Sequence, residues 1–199
     1  MGPTHYSIPG DISHLEKLAF QSDARYIIVV EKETVFHKLA SDRFYHFAPS
    51  IIITGKGYPD LATRVMLGRL HQAFPALPIL GLVDWNPAGL AILCTYKFGS
   101  MRMGLETAHY VCDVKWLGLR YDDLRYIRDE AILDFKGRDK ILAESLQKSK
   151  LLQNYEEYER ELAHMIDSQK RVEIEALHSN GEEFLGKFIA DKIVQQDYI

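Results

Sequence analysis

The chain has 199 residues, 47% of them hydrophobic and 26% charged, with a formal net charge of −4. That length suits one domain able to bury a core, and the composition excludes a disordered, collagen-like or disulfide-stapled protein. No apolar run approaches the roughly 18 residues of a membrane span, and no charged segment followed by an apolar stretch opens the chain as a secretory signal would. Charge is unevenly spread. Residues 1–150 carry 19 Lys and Arg against 17 Asp and Glu, whereas residues 151–199 carry 5 against 11. So small a positive balance is a weak footprint for nucleic acid. Cys94 and Cys112 form neither a framework nor a CxxC pair and read as buried small hydrophobes in a reducing compartment.

In chain order, residues 1–10 read as a loose lead-in, with Gly2, Pro3, Pro9 and Gly10, and Asp11 caps a short helix through about residue 20. Residues 26–30 are a continuous β-branched run, the mark of a strand covered on both faces, and 50–54 reads the same way. The spacing predicts helices over 34–44, 60–74 and 88–98, a third strand over 79–83 and a fourth over 112–116. Strands of this length alternating with helices imply βαβ crossovers and a parallel sheet. Beyond it, residues 139–148 read as a helix, the apolar positions from 154 to 177 follow helical spacing, Asn180-Gly181 breaks the pattern, and 182–194 is a last helix. The expected organisation is a lead-in over 1–24, an α/β domain over 25–135, and helices over 136–199 packed on it.

In parallel α/β sheets, ligands bind beyond the carboxyl ends of the strands. The first strand is followed by Glu31-Lys32-Glu33, the second by Gly55-Lys56-Gly57-Tyr58-Pro59-Asp60, and the third by Asp84-Trp85-Asn86-Pro87. Carboxylates gathered by a fold repel unless a cation neutralises them, and hard oxygen ligands suit Mg²⁺. Each acid also has a structural reading: Asp84 or Asn86 can cap the helix that follows. No Walker loop, G-x-G-x-x-G, zinc-hydrolase or serine-hydrolase motif is present.

The runs Val29-Val30-Glu31-Lys32-Glu33, Thr54-Gly55-Lys56-Gly57-Tyr58-Pro59-Asp60-Leu61-Ala62-Thr63-Arg64 and Leu82-Val83-Asp84-Trp85-Asn86-Pro87 closely resemble the Toprim domain of the meiotic DNA double-strand-break transesterases, eukaryotic relatives of the A subunit of topoisomerase VI. The 161–177 pattern resembles that family's C-terminal helices. The resemblance implies a Toprim fold, a Rossmann-like parallel sheet flanked by helices with a helical C-terminal extension. It implies Mg²⁺ held by Glu31 and Asp84, with Asn86 where the family's third acid falls. Lys56 and Arg64 become candidate DNA phosphate contacts. The implied reaction is attack of a tyrosine on a backbone phosphate, leaving a 5′-phosphotyrosyl link and initiating meiotic recombination.

The implied partners are double-stranded DNA, a second copy in a homodimer of the full-length protein, and accessory subunits resembling topoisomerase VI B; no membrane is involved, and the expected location is the nucleus. The family's nucleophilic tyrosine lies in an N-terminal winged-helix domain. None of the eleven tyrosines here matches its motif, so the chain is expected to correspond to the second half of such a protein and to be inactive alone. The alternatives are a different Toprim nuclease, or a non-catalytic scaffold for dimerisation and accessory binding.

Overall fold

The structure, a computed structural model, describes residues 6–99 and 110–199. A four-stranded parallel sheet has the order β2-β1-β3-β4, formed by β1 (Tyr26–Val30), β2 (Ser50–Thr54), β3 (Ile79–Leu82) and β4 (Val114–Trp116). Helix α1 (Ile12–Leu15) precedes the sheet, and α2 (Glu33–Ser41), α3 (Leu61–Ala73) and α4 (Pro87–Phe98) separate the strands. This is the expected Toprim α/β architecture. Two compact units share the chain: Met1–Gly81 with Thr95–Lys115, and Leu82–Cys94 with Trp116–Ile199.

In the first unit, β1 is central and its residues Ile27 to Val30 are buried. It pairs in register with β2, Ile28 opposite Ile52, and on its other side Ile27 N–H donates to Pro78 O. The reading of β2 as a strand covered on both faces needs correction: it is an edge strand, and only Ile53 is buried. An apolar run of five residues does not distinguish centre from edge. Asp60 caps α3 by accepting from Thr63 N–H at 2.7 Å, which satisfies one of the orphan donors of the first turn. The segment before β1 is less loose than expected. Leu15 packs with Ala62 and Val65, and Ile8, Ile12 and Leu18 cover them. Cys112 is a buried free thiol, its pKa pushed up to about 11 by burial. That keeps it protonated and unreactive.

The second unit contains β5 (Leu133–Asp134), α5 (Gly137–Lys148), α6 (Glu156–Ser168), β6 (Lys170–Arg171) and α7 (Phe184–Val194). The continuous helical reading of 154–177 is not what forms. Helix α6 stops at Ser168, because Gln169 turns left-handed (φ 53°) and its carbonyl accepts from Phe135 N–H. Lys170 and Arg171 then pair antiparallel with Asp134 and Leu133, and a 3₁₀ helix runs over Ile174–Asn180. The buried face of α6 is Tyr158, Glu161, Leu162 and Met165.

Helix α7 is tied down by ions as well as apolar packing. Lys192 Nζ lies 2.6 Å from Asp123 Oδ2 and 3.6 Å from Asp197 Oδ2, and Arg120 also pairs with Asp197. Burial opposes ionisation of Asp197, but Arg120 and Lys192 outweigh it and hold its carboxyl below the ordinary value of 3.8. A depressed carboxylate contributes stability that is fully present above its unfolded pKa and is lost as pH falls through the folded one. Asp197→Asn should therefore lower the melting temperature at neutral pH, with the difference from the parent closing only as the pH falls below the ordinary carboxylate value of 3.8. Paired thermal melts across that range are the measurement; a difference independent of pH contradicts the assignment.

Candidate functional site

Glu31 directly follows β1 and is half-buried. Its carbonyl accepts the Gly57 N–H at 2.8 Å, tying the end of β1 to the Gly-Lys-Gly loop. That loop needs two consecutive left-handed residues, Lys56 (φ 53°) and Gly57 (φ 110°), and glycine supplies the second at no steric cost. The Lys56 side chain is 65% exposed and its amine lies 2.8 Å from Glu33 Oε1. That hydrogen bond holds the Glu33 carboxyl below its ordinary value.

Arg64 takes an interior position one turn into α3. It is 1% exposed, and neither terminal guanidinium nitrogen has a hydrogen-bond partner among the described residues. A phosphate contact expects a guanidinium at the surface, and this one is not. Tyr96 is buried too, its phenol raised by burial and then by the Asp60 charge. Tyr58 in the same loop as Lys56 is 55% exposed.

In the second unit, Asp84 stands two residues beyond β3, 3% exposed. Its Oδ1 accepts from Ile174 N–H at 2.8 Å, and Asn86 Nδ2 lies 3.4 Å from its Oδ2. Trp85 pairs antiparallel with Val172 through both backbone bonds, each 3.0 Å. Trp85 Nε1–H donates to Glu161 Oε2 at 2.8 Å, and the same oxygen accepts the Tyr121 N–H at 2.8 Å. Asn86 Oδ1 accepts from Gly89 N–H at 2.8 Å. With Pro87 in the first helical position, that is capping geometry for α4.

The donor set suits a hard cation. Glu31 and Asp84 follow neighbouring strands of the sheet. Taken one by one, Glu31, Asp84 and Asn86 each offer oxygen, the kind of donor that Mg²⁺ takes. Among the described residues, no group of three or more His, Cys, Asp or Glu is assembled for a metal. No helix among the described residues is long and apolar enough to cross a membrane.

Glu161, Val172 and the Ile174 amide, which support the Asp84 segment, do not stand out in the sequence as parts of a site. The available signal was Glu161 itself. It lies three residues after Tyr158 and four before Met165, on the apolar stripe of α6. An acid there, in a chain whose Trp85 needs a partner for its N–H once buried, points to a pairing.

The family profile for the Toprim domain of Spo11 and the topoisomerase 6 A subunit matches residues 26–193. The chain is 58% identical over 199 residues to meiotic recombination protein SPO11-2 of Oryza sativa subsp. indica, covering 100% of this chain and 51% of that protein. It is 36% identical over 203 residues to the A subunit of DNA topoisomerase 6 from Arabidopsis thaliana (100% and 47%), and 33% identical over 190 residues to human meiotic recombination protein SPO11 (94% and 47%). The chain spans about half the length of the curated relatives it matches.

Proposed function

We propose a function for this chain from one premise: it belongs to the family of Spo11 and the topoisomerase 6 A subunit, whose Toprim domain it contains. It is the metal- and DNA-binding part of a topoisomerase-like transesterase that makes the double-strand breaks of meiotic recombination. The supporting observation is the match of residues 26–193 to that family's Toprim profile, a span that contains both candidate acids, Glu31 and Asp84.

In this reading Glu31 and Asp84 hold Mg²⁺, with Asn86 in the third position and contributing no charge. When bound, such a cation steadies negative charge on the attacking and leaving oxygens of a phosphodiester. Lys56 supplies an exposed amine at the Gly-Lys-Gly loop for a DNA phosphate. Arg64, the other candidate phosphate contact, is buried and lacks the surface position that such a contact needs. The attacking tyrosine belongs to the family's winged-helix domain, and the product is a 5′-phosphotyrosyl end. Each of two copies cuts one strand in the nucleus, working with B-type and other meiotic accessory subunits.

The 199-residue chain alone should bind duplex DNA weakly and lose that binding steeply with salt, since phosphate contacts release counterions. Lys56→Ala should weaken it without changing sequence preference, because phosphate contacts position but do not specify. With Mg²⁺ or Mn²⁺ the chain should form no covalent product on end-labelled DNA. Fused to the winged-helix half, and with its partners, it should form one. The readout is a denaturing gel. A protein-linked 5′ end from the chain alone, abolished by changing one of its own tyrosines to Phe, would overturn the placement of the nucleophile. Metal-dependent nicking without any link would favour a Toprim nuclease instead.

A further inference from the structure

We infer that Glu161 is a positioning residue for Asp84, setting the direction of that carboxylate through Trp85. The inference rests on the reading of Asp84 as a metal ligand. Three bonds from one neighbouring stretch of chain hold the segment Asp84-Trp85-Asn86: Ile174 N–H to Asp84 Oδ1, and the two backbone bonds between Trp85 and Val172. The last two fix the strand end at its backbone, the first holds the Asp84 carboxylate at one oxygen, and the Trp85 indole is left to be fixed separately.

Glu161 supplies that restraint. It is 6% exposed, and one of its oxygens accepts both the Trp85 Nε1–H and the Tyr121 N–H, each at 2.8 Å. Helix α6 grips the Tyr121 segment a second time, because the Tyr121 ring stacks on His164 with centroids 4.0 Å apart and planes within 9°. One carboxylate thus joins three separate pieces of chain. Trp85 is fully buried, so its indole cannot turn to water for a partner if Glu161 is removed. The two stranded N–H groups would then drive a local rearrangement. Because Asp84 is the adjacent residue, a rotation of the Trp85 backbone reorients its side chain directly. A ligating carboxylate tolerates displacements of only about 0.5 Å, and supports behind metal ligands are typically worth about 10–100-fold in affinity.

The test measures Mn²⁺ binding to the 199-residue chain by calorimetry alongside thermal melts. Glu161→Ala should weaken Mn²⁺ about tenfold or more. Glu161→Gln retains an amide oxygen able to accept both N–H groups, and should stay within about twofold of the parent. Trp85→Phe keeps a ring but deletes the donor, and should weaken binding several-fold; it decides the matter if Glu161→Ala does not fold. Ile189→Ala opens a cavity on α7 and serves as the control for instability, expected to lower the melting temperature while leaving Mn²⁺ affinity unchanged. Parent-like affinity in Glu161→Ala or Trp85→Phe, or an equal loss in Ile189→Ala, overturns the positioning role. Asp84→Asn separates the metal site from its support. If the parent binds no Mn²⁺, or Asp84→Asn binds it like the parent, the metal site itself is wrong. If Asp84→Asn loses the ion and Glu161→Ala does not, only the positioning role is.

Discussion

Gly89→Ala should destabilise the protein by about 2–3 kcal/mol, although helix propensity alone predicts the reverse. Alanine in place of glycine inside a helix ordinarily stabilises by about 1 kcal/mol. Gly89 lies in the first turn of α4, and a Cβ built there would stand 2.4 Å from the Asp84 carbonyl oxygen, with the Asp84 amide nitrogen and carbonyl carbon at 3.3 Å. All three are backbone atoms, so no side chain can swing aside. Either the helix start or the Asp84 segment must move, and each is held by further bonds: Asn86 Oδ1 to Gly89 N–H on one side and Asp84 Oδ1 to Ile174 N–H on the other. Gly68 in α3 is the matched control. A Cβ there meets only Tyr110 Cδ1 at an ordinary 3.6 Å, so Gly68→Ala should be neutral or stabilising by up to about 1 kcal/mol. Denaturant titrations of the two variants decide it; a Gly89→Ala protein as stable as Gly68→Ala would contradict the close approach.

Glu31→Gln should abolish divalent-metal binding. In the proposed site two carboxylates supply all of the protein's charge, and a hard cation depends on anionic oxygen. The substitution keeps shape and volume, so the Gly57 N–H still finds the Glu31 carbonyl and the fold should be unaffected. Calorimetry with Mg²⁺ and Mn²⁺ on parent and variant is the check, and equal binding removes Glu31 from the site. Asn86→Asp is the complementary change. Aspartate caps a helix as well as asparagine does, so the α4 start should survive while the new charge beside Asp84 raises affinity for the ion. An affinity unmoved at constant ionic strength leaves Asn86 as a cap alone.

How far such a site can be read from residues depends on the range of the interactions that build it. Residues 26–30 and 50–54 become strands as expected, because each is a run of β-branched residues bounded by breakers, and that preference is local. Glu31 and Asp84 stand out for a related reason: the carboxyl end of a parallel strand is a position that sequence can locate. The end of α6 could not be located. Helical spacing continues to Leu177, yet Gln169 turns left-handed, and Lys170 and Arg171 pair with two residues, Leu133 and Asp134, whose strand is too short to show a period. Arg64 illustrates the same limit. Its charge argues for the surface, while its place on α3 among buried Thr63 and Val65 puts it inside. Lys192 is similar: its partner Asp123 lies 69 residues away, and nothing local announces the pair.

The bond from Ile174 N–H to the Asp84 carboxylate spans 90 residues. Its consequence is one of timing during synthesis. A ribosome adding roughly 5–20 residues per second needs on the order of ten seconds to travel from Asp84 to Ile174. Through that interval the first three strands of the sheet have been made, while the Asp84 carboxylate and the Trp85 indole wait without the groups that will receive them. The nascent chain therefore exposes an apolar indole beside an uncompensated acid until its final helices emerge. Slowing translation across that stretch, or stopping it before residue 172, would leave the β3 end as a sticky, unfinished edge for chaperones to cover.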